Sequence, residues 1–303
     1  MNNLELLKVY QFDKKIRCGD NKDGGYVFGE LQGTYDCYIS CGVADHESFS
    51  RDFINLYNMT KENSFAFDGT INNYPHEYTK NISFIQKNID GNDNDKNSNL
   101  FFLIDKYKDI FMKMDIEGGE YNWLLKVNED QLRKFKQMVI EFHGITQDGW
   151  GHPYDTKIKC LEKLQKTHYI IHAHGNNNSK VVKNIPDVIE LSFIRKDYFQ
   201  TVPSLNTQLL PCHLDFPNDL RKKDLDLVLY PFVSNVKTIL IGVSDSNTKI
   251  IDFDEPIRSY RFHLAKNPWP DCFEFTVQDS KLIIKRLDHP CGWGYNHSVI
   301  IQW

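Results

Sequence analysis

Residues 111–121 read FMKMDIEGGEY, and this stretch decides the fold that the sequence predicts. The side chains from Ile110 to Ile116 are mostly apolar, and a glycine pair follows shortly after. A short apolar run that ends in a glycine turn is typical of a buried parallel strand that leads into a helix. Asp115 interrupts this run, where a charge needs a partner or a function. It also lies near the carboxyl end of the strand, where open α/β sheets bind their ligands. Glu117 and Glu120 could instead only cap the start of the helix.

The composition excludes several classes of protein. The chain has 303 residues, 41% of them hydrophobic, with a net charge of −5 that gives no electrostatic reason to expect nucleic acid or a membrane surface as partner. No apolar run approaches the roughly 20 residues that span a bilayer. The first 15 residues lack the features of a signal peptide, and the 7 cysteines do not suggest a disulfide framework. We therefore expect a cytoplasmic protein with reduced thiols.

Strand-like runs alternate with helical patterns over residues 35–200. We predict strands at 36–41, 64–67, 82–85, 110–116, 137–142, 169–173 and 188–194, with helices at 49–56, 121–125 and 154–166. This alternation favours an α/β fold with a Rossmann-like, doubly wound parallel sheet that has an antiparallel edge. From about residue 230 the pattern changes to short runs that are spaced by turns, which predicts a small β-sandwich-like module. The predicted domains are 1–229 and 230–303.

Polar side chains follow several of the predicted strands, and we expect them along one edge of the sheet. They are Gly42, Asp68, Asp115, Glu141, His143 and His174. Gly42 opens a strand-to-helix turn, which is typical of nucleotide-binding sheets but lacks the GxGxxG spacing that would favour a pyrophosphate. Asp68 follows the second strand, where a carboxylate can accept both ribose hydroxyls of a nucleoside. The alternative for Asp68 is an Asx-turn before Gly69.

Three acids and two histidines at one sheet edge suit two kinds of chemistry. Asp115, Glu141 and His143 could bind a divalent cation, and mixed oxygen and nitrogen ligands suit Mg²⁺ or Mn²⁺. Alternatively, His143 or His174 could act as a general base. Each histidine could also be an ordinary structural residue. Residues 172–177, HAHGNN, add amide groups suited to vicinal hydroxyls, or form only a polar loop.

Several ordered motifs together resemble a known family. They are DGGYVF (23–28), YISCGVADHESF (38–49), FAFDGT (65–70), FMKMDIEGGE (111–120), MVIEFHG (138–144), HAHGNN (172–177) and PDVIELSFIRKD (186–197). Their order over about residues 15–220 resembles the FkbM-type methyltransferases, which are class I enzymes that use S-adenosyl-L-methionine. One departure is the first turn, GVAD (42–45), which has fewer glycines than in many relatives. The tail beyond about residue 230 lies outside the resemblance.

The resemblance implies a seven-stranded methyltransferase sheet and a set of site residues. The cofactor contacts it implies are Gly42, Val43, Ala44, Glu47, Ser48, Asp68, Gly69 and Asp115. Asp115, Glu141 and His143 face the methyl acceptor in this interpretation. His174, Glu117, Asn176 and Asn177 are further candidates on the acceptor side.

We therefore predict an O-methyltransferase that acts on a carbohydrate hydroxyl, with a nucleotide-activated sugar or a surface-glycan precursor as the expected substrate. The β module would bind substrate or mediate a homodimer. A nicotinamide-dependent oxidoreductase is disfavoured by the missing GxGxxG spacing. A remaining alternative is a degenerate methyltransferase fold whose β module binds carbohydrate through aromatic side chains, namely Trp269, Trp293, Tyr295 and Trp303.

Overall fold

The computed structural model divides the chain into two compact units, Met1–Leu227 and Val228–Trp303. It describes residues 3–234, 236–241, 248–252, 259–263, 273–286 and 297–302. The strands and helices of the first unit are β1 Lys15–Cys18, β2 Tyr26–Gly29, β3 Cys37–Cys41, α1 Ser48–Tyr57, β4 Ser64–Phe67, β5 Ser83–Ile85, β6 Asn88–Ile89, β7 Asn97–Ser98, α2 Phe101–Lys106, β8 Ile110–Met114, α3 Glu120–Lys126, α4 Glu129–Leu132, β9 Phe135–His143, α5 Tyr154–Thr167, β10 His168–Gly175, β11 Val181–Val182, β12 Ile185–Pro186 and β13 Val188–Arg195.

A seven-stranded mixed sheet forms the centre of the first unit, in the order β10-β13-β9-β8-β3-β4-β5. This confirms the predicted α/β class, and a strand lies at each of the predicted positions. Both antiparallel pairs lie at one end of the sheet, as predicted, but the antiparallel strand is β13, which lies between β10 and β9 and is not the edge strand itself. The connection from β10 to β13 spans residues 176–187 and contains the β11–β12 hairpin, so no helix crosses over between these two strands.

The apolar part of the opening stretch is the middle of this sheet. All five residues of β8 are buried, and β8 pairs in parallel with β3 and β9. Phe111 packs against Phe53 of α1, with ring centroids 4.2 Å apart, and Phe53 stacks on Tyr38 of β3 at 4.7 Å. Burying one such side chain contributes about 1.5–3 kcal/mol. Aromatic packing on β8 thus anchors the strand whose end carries Asp115.

Among the described residues of the second unit, the regular secondary structure consists of strands and includes no helix. They are β14 Val236–Ile241, β15 Thr248–Asp252, β16 Ser259–His263, β17 Phe273–Gln278, β18 Lys281–Arg286 and β19 His297–Gln302. They form two antiparallel sheets, in the orders β14-β19-β16 and β15-β18-β17. The sandwich arrangement stays a prediction. Trp269, Trp293, Tyr295 and Trp303, the basis of the carbohydrate-binding alternative, lie outside the described residues.

None of the helices in the described part of the chain is both long enough and apolar enough to cross a bilayer.

Candidate functional site

A cavity of about 770 Å³ opens where β3, β4 and β8 end, and we call it the Gly42 cavity. Gly42 has a φ of +82°, and a Cβ atom placed there would lie 1.7 Å from the carbonyl oxygen of Asp115. Only glycine fits this approach, because it combines a left-handed backbone with the absence of a side chain. Val43 and Ala44, two further residues predicted as cofactor contacts, also line the cavity.

Asp68 lines the Gly42 cavity, but its oxygens are already occupied by protein donors. Oδ2 accepts hydrogen bonds from the amides of Val43 and Ala44, at 3.0 and 2.9 Å. Oδ1 accepts from the amide and the hydroxyl of Thr70, at 2.7 and 2.6 Å. Burial alone would raise the pKa of Asp68, yet the donors from Ala44, Thr70 and Val43 outweigh it and lower the pKa. Asp68 therefore forms the Asx-turn of the alternative and also ties the β3 turn to β4.

We expect Asp68→Asn to destabilise the first unit by about 1–3 kcal/mol, because an amide nitrogen would face N–H or O–H donors on one side. Urea unfolding monitored by tryptophan fluorescence measures this change. Thr70→Val removes only the hydroxyl donor, so it should cost about 0.5–1.5 kcal/mol. Equal stabilities of wild type and Asp68→Asn would contradict the structural role of Asp68.

Three of the expected cofactor contacts do not line this cavity. Glu47 turns inward and accepts hydrogen bonds from Ser40, Ser50 and Tyr74. The hydroxyl of Ser48 contacts the amide of Asp20 and the ring of His46 instead. Gly69 faces the side chain of Asn88. The prediction that these three residues contact the cofactor is therefore corrected. The side chains of Glu47 and Ser48 form hydrogen bonds with other groups of the protein instead.

Lys113 is a cavity residue that sequence reasoning missed. It lies inside β8 and is buried, and its Nζ donates to the carbonyl of Gly42 at 2.7 Å. The sequence does contain a signal for Lys113, because a lysine within an apolar strand, like an aspartate there, needs a partner or a function.

A second cavity of about 400 Å³ adjoins the first, and we call it the His143 cavity. The two cavities share Asp23, Asp115 and Glu117 as lining residues. The other side chains around the second cavity are mostly polar, namely Glu141, His143, Trp150, Asn176, Asn178, Ser179, Lys180, Asp187 and Val188. Asp115 thus lies where the two cavities meet.

Glu120 orients the ring of His143 at this junction. Nδ1 of His143 lies 2.9 Å from Oε1 of the fully buried Glu120. A carboxylate only accepts hydrogen bonds, so Nδ1 carries a proton and Nε2 of the neutral ring presents its lone pair. Nε2 lies 3.4 Å from Glu117 and 3.9 Å from Asp115. The ring can therefore take up a proton at Nε2, beside both cavities.

The carboxylates around His143 also set its affinity for a proton. Burial disfavours the charged ring and by itself lowers the pKa of His143. The hydrogen bond to Glu120 and the charges of Glu120, Asp115 and Glu117 outweigh burial, and the pKa is raised above its ordinary value. Sequence reasoning gave Glu120 only a role in the turn and missed its contact with His143.

Glu141 is buried beside Asp115 and hydrogen-bonded within the protein. Its Oε1 accepts from the side-chain amide of Asn176 at 3.0 Å. The Tyr26 hydroxyl lies 3.1 Å from Asp115 Oδ2 and 3.5 Å from Glu141 Oε2. Burial raises the pKa of Glu141 well above its usual range, and the charges of Asp115 and Glu190 raise it further.

The structure does not bring His174 and Asn177 into either cavity. His174 is buried, with Nδ1 3.2 Å from Glu190 and Nε2 3.1 Å from Asp224. With both ring nitrogens bonded to carboxylates, His174 has no free position to act as a base. Asn177 donates to the carbonyl of Asp219 at 2.9 Å and accepts from its amide at 2.8 Å. The structure therefore corrects two predictions. One is that His174 acts as a catalytic and a substrate-binding residue, and the other is that Asn177 binds substrate.

Two groups of described residues could hold a metal ion. Asp115, Glu117 and His143 have ligand atoms within 4.8 Å of one another, and so do His172, Cys212 and Asp215. The first group contains Glu117 in place of the predicted Glu141. Its two carboxylates are of the ligand type that suits Mg²⁺ or Mn²⁺, whereas its imidazole is of the type that suits zinc, copper, iron or nickel.

Comparison with known proteins adds no relative. A scan against protein-family models finds no match, and a search of the curated proteins finds no significant similarity. The resemblance to FkbM-type methyltransferases therefore stays a prediction from the order of motifs.

Proposed function

We propose that the first unit transfers the methyl group of S-adenosylmethionine to a hydroxyl group of a carbohydrate. The observation that carries this proposal is the Glu120–His143 pair, whose Nε2 faces a polar cavity that adjoins a second, nucleoside-sized one. The seven-stranded sheet supports the proposal, since the motif resemblance implies such a sheet.

The Gly42 cavity fits the cofactor in size and in position. Its volume of about 770 Å³ is within the range of small-molecule sites. The turn residues Gly42, Val43 and Ala44 line it at the carboxyl end of β3, where open α/β sheets bind their ligands. Asp68 has no unused lone pair for the ribose hydroxyls, so the proposal assigns it to shaping the turn. When bound, S-adenosylmethionine supplies an activated methyl group on a sulfonium centre.

The residues around His143 would remove the acceptor proton. A sugar hydroxyl is a poor nucleophile, so its proton must leave as the oxygen attacks. Nε2 of His143 takes that proton, and Glu120 holds the ring and stabilises the charge that forms. Asp115 lies 3.9 Å from Nε2 and borders both cavities, so it can orient the hydroxyl toward the neighbouring cavity.

Trp150 and the polar lining support a carbohydrate as the acceptor. The Trp150 side chain remains 46% exposed, and its ring lies 4.9 Å from that of His143. An exposed indole face offers a packing surface for the apolar side of a sugar ring. Asn176, Ser179 and Asp187 supply hydrogen-bonding groups suited to several hydroxyls.

Isothermal titration with S-adenosylhomocysteine tests the cofactor assignment. We expect one molecule to bind per chain, and NAD⁺ to give no binding heat at the same concentrations. The S-adenosylhomocysteine complex should also raise the unfolding temperature, because a ligand that binds only the folded state stabilises it. Absence of binding by the intact chain, or binding of NAD⁺ in its place, would refute the assignment.

A further inference from the structure

A basic groove lies next to both cavities. Its volume is about 770 Å³, and it is lined by Lys22, Asn178, Asn218, Asp219, Leu220, Arg221 and Lys222. Lys22 also lines the Gly42 cavity, and Asn178 also lines the His143 cavity. A ligand in the His143 cavity that extends past Asn178 therefore enters this groove.

The groove differs in charge from the His143 cavity. The charged residues that line the groove are three cations, Lys22, Arg221 and Lys222, and one carboxylate, Asp219. Nε and one terminal nitrogen of Arg221 donate hydrogen bonds to the carboxylate of Asp219, at 2.8 and 3.0 Å. A guanidinium has five N–H donors, so others remain available, and the Arg221 side chain is 89% exposed.

The His143 cavity has the opposite bias. It is lined by three acidic residues, Asp23, Asp115 and Glu117. The positive charge of Lys180, which also lines it, is balanced by Asp187, whose carboxylate lies 3.4 Å from the Lys180 ammonium group. A phosphate would be repelled there, whereas an uncharged sugar ring would not. The sign of the charge thus changes from one side of Asn178 to the other.

Three consecutive asparagines hold the groove in position. Asn176 bonds to Glu141 in the His143 cavity. Asn177 bonds to the backbone of the 219–223 loop, and Asn178 accepts from Nζ of Lys222 at 2.5 Å. The loop that carries Arg221 and Lys222 is therefore ordered before a ligand arrives, which reduces the entropic cost of binding.

We propose that the basic groove binds the phosphate groups of a phosphorylated sugar whose ring occupies the His143 cavity. The position of the sugar rests on the proposed function, whereas the affinity for phosphate does not. Arginine binds phosphate through paired N–H donors, and the two lysines add charge without fixed geometry. A sugar monophosphate and a nucleoside diphosphate sugar share this chemistry.

The test measures binding of inorganic pyrophosphate and of inorganic phosphate to the full chain by isothermal titration at low salt. We expect pyrophosphate to bind, and the double variant Arg221→Gln/Lys222→Gln to weaken its binding by about tenfold or more. Tighter binding of pyrophosphate than of phosphate supports a diphosphate group, and equal binding supports a monophosphate. Added salt should weaken both, because the groove is exposed.

Lys223→Gln is the matched control. Lys223 belongs to the same loop, is 82% exposed and pairs with Asp226, but it does not line the groove. The control should bind pyrophosphate like the wild type. Absence of pyrophosphate binding, or equal weakening by Lys223→Gln, would overturn the proposal. S-adenosylhomocysteine is titrated separately. If it fails to bind while pyrophosphate binds as expected, the result supports the phosphate-binding groove and refutes the proposed methyl transfer.

Discussion

Replacing His143 by Asn should lower kcat for the proposed methyl transfer by about 10²–10⁴-fold, the usual contribution of a general base. The Asn side chain places an amide near the position of Nδ1, so it can still donate to Glu120, but it has no atom at Nε2. Binding of S-adenosylhomocysteine should stay unchanged, since His143 does not line the Gly42 cavity. Steady-state kinetics with an acceptor sugar, together with titration calorimetry, measure the two quantities.

A chelator separates the base from a metal ligand. If Nε2 takes the proton directly, EDTA leaves the wild-type rate unchanged. Loss of activity on chelation, with recovery in Mn²⁺ but not in buffer, would instead assign His143, Asp115 and Glu117 to a metal ion. A His143→Asn variant with nearly full activity would exclude both roles.

The pH dependence gives a second measurement of the same base. Since the pKa of His143 is raised, its neutral form appears only above the ordinary value of about 6.5, and kcat/KM should rise with pH through that region. Glu120→Gln removes the largest cause that raises this pKa, so the rise should move to lower pH. A profile that does not shift would show that Glu120 only supports the turn.

Replacing Gly42 by Ala should strongly destabilise the first unit. The added Cβ would lie 1.7 Å from the carbonyl oxygen of Asp115, so the ends of β3 and β8 must separate. An alanine in this left-handed backbone costs about 1–2 kcal/mol, and we expect a total loss of more than about 3 kcal/mol or no soluble protein. Urea unfolding measures the change, and S-adenosylhomocysteine binding should be lost with it.

Gly151→Ala is the matched control for this substitution. Gly151 has a similar φ of +78°, but a Cβ placed there meets nothing within 4 Å. The control should therefore lose only the backbone contribution, about 1–2 kcal/mol. Equal losses in the two variants would mean that the contact with Asp115 is unimportant.

Local patterns in the sequence were sufficient to predict the strands of the sheet. Each strand is a short apolar run bounded by turn residues, and this pattern arises within a few neighbouring residues. Gly42 and Asp115 were predicted at strand ends for the same reason, and the sheet brings those ends together. The position of β13 between β9 and β10 could not be predicted in this way, because the local pattern of a strand does not depend on which strands it pairs with.

The tertiary structure decided which polar side chains are available in the cavities. His143 and His174 come at similar positions near strand ends, yet of these two residues only His143 lines the Gly42 or the His143 cavity. Asp224, 50 residues after His174 in the chain, occupies the nitrogen of His174 that would otherwise be free. Such partners come from distant segments, so no local pattern reports them. The sequence by itself determined where the chain places its chemical groups along the sheet edge, and the packing of remote segments determined which of them can react.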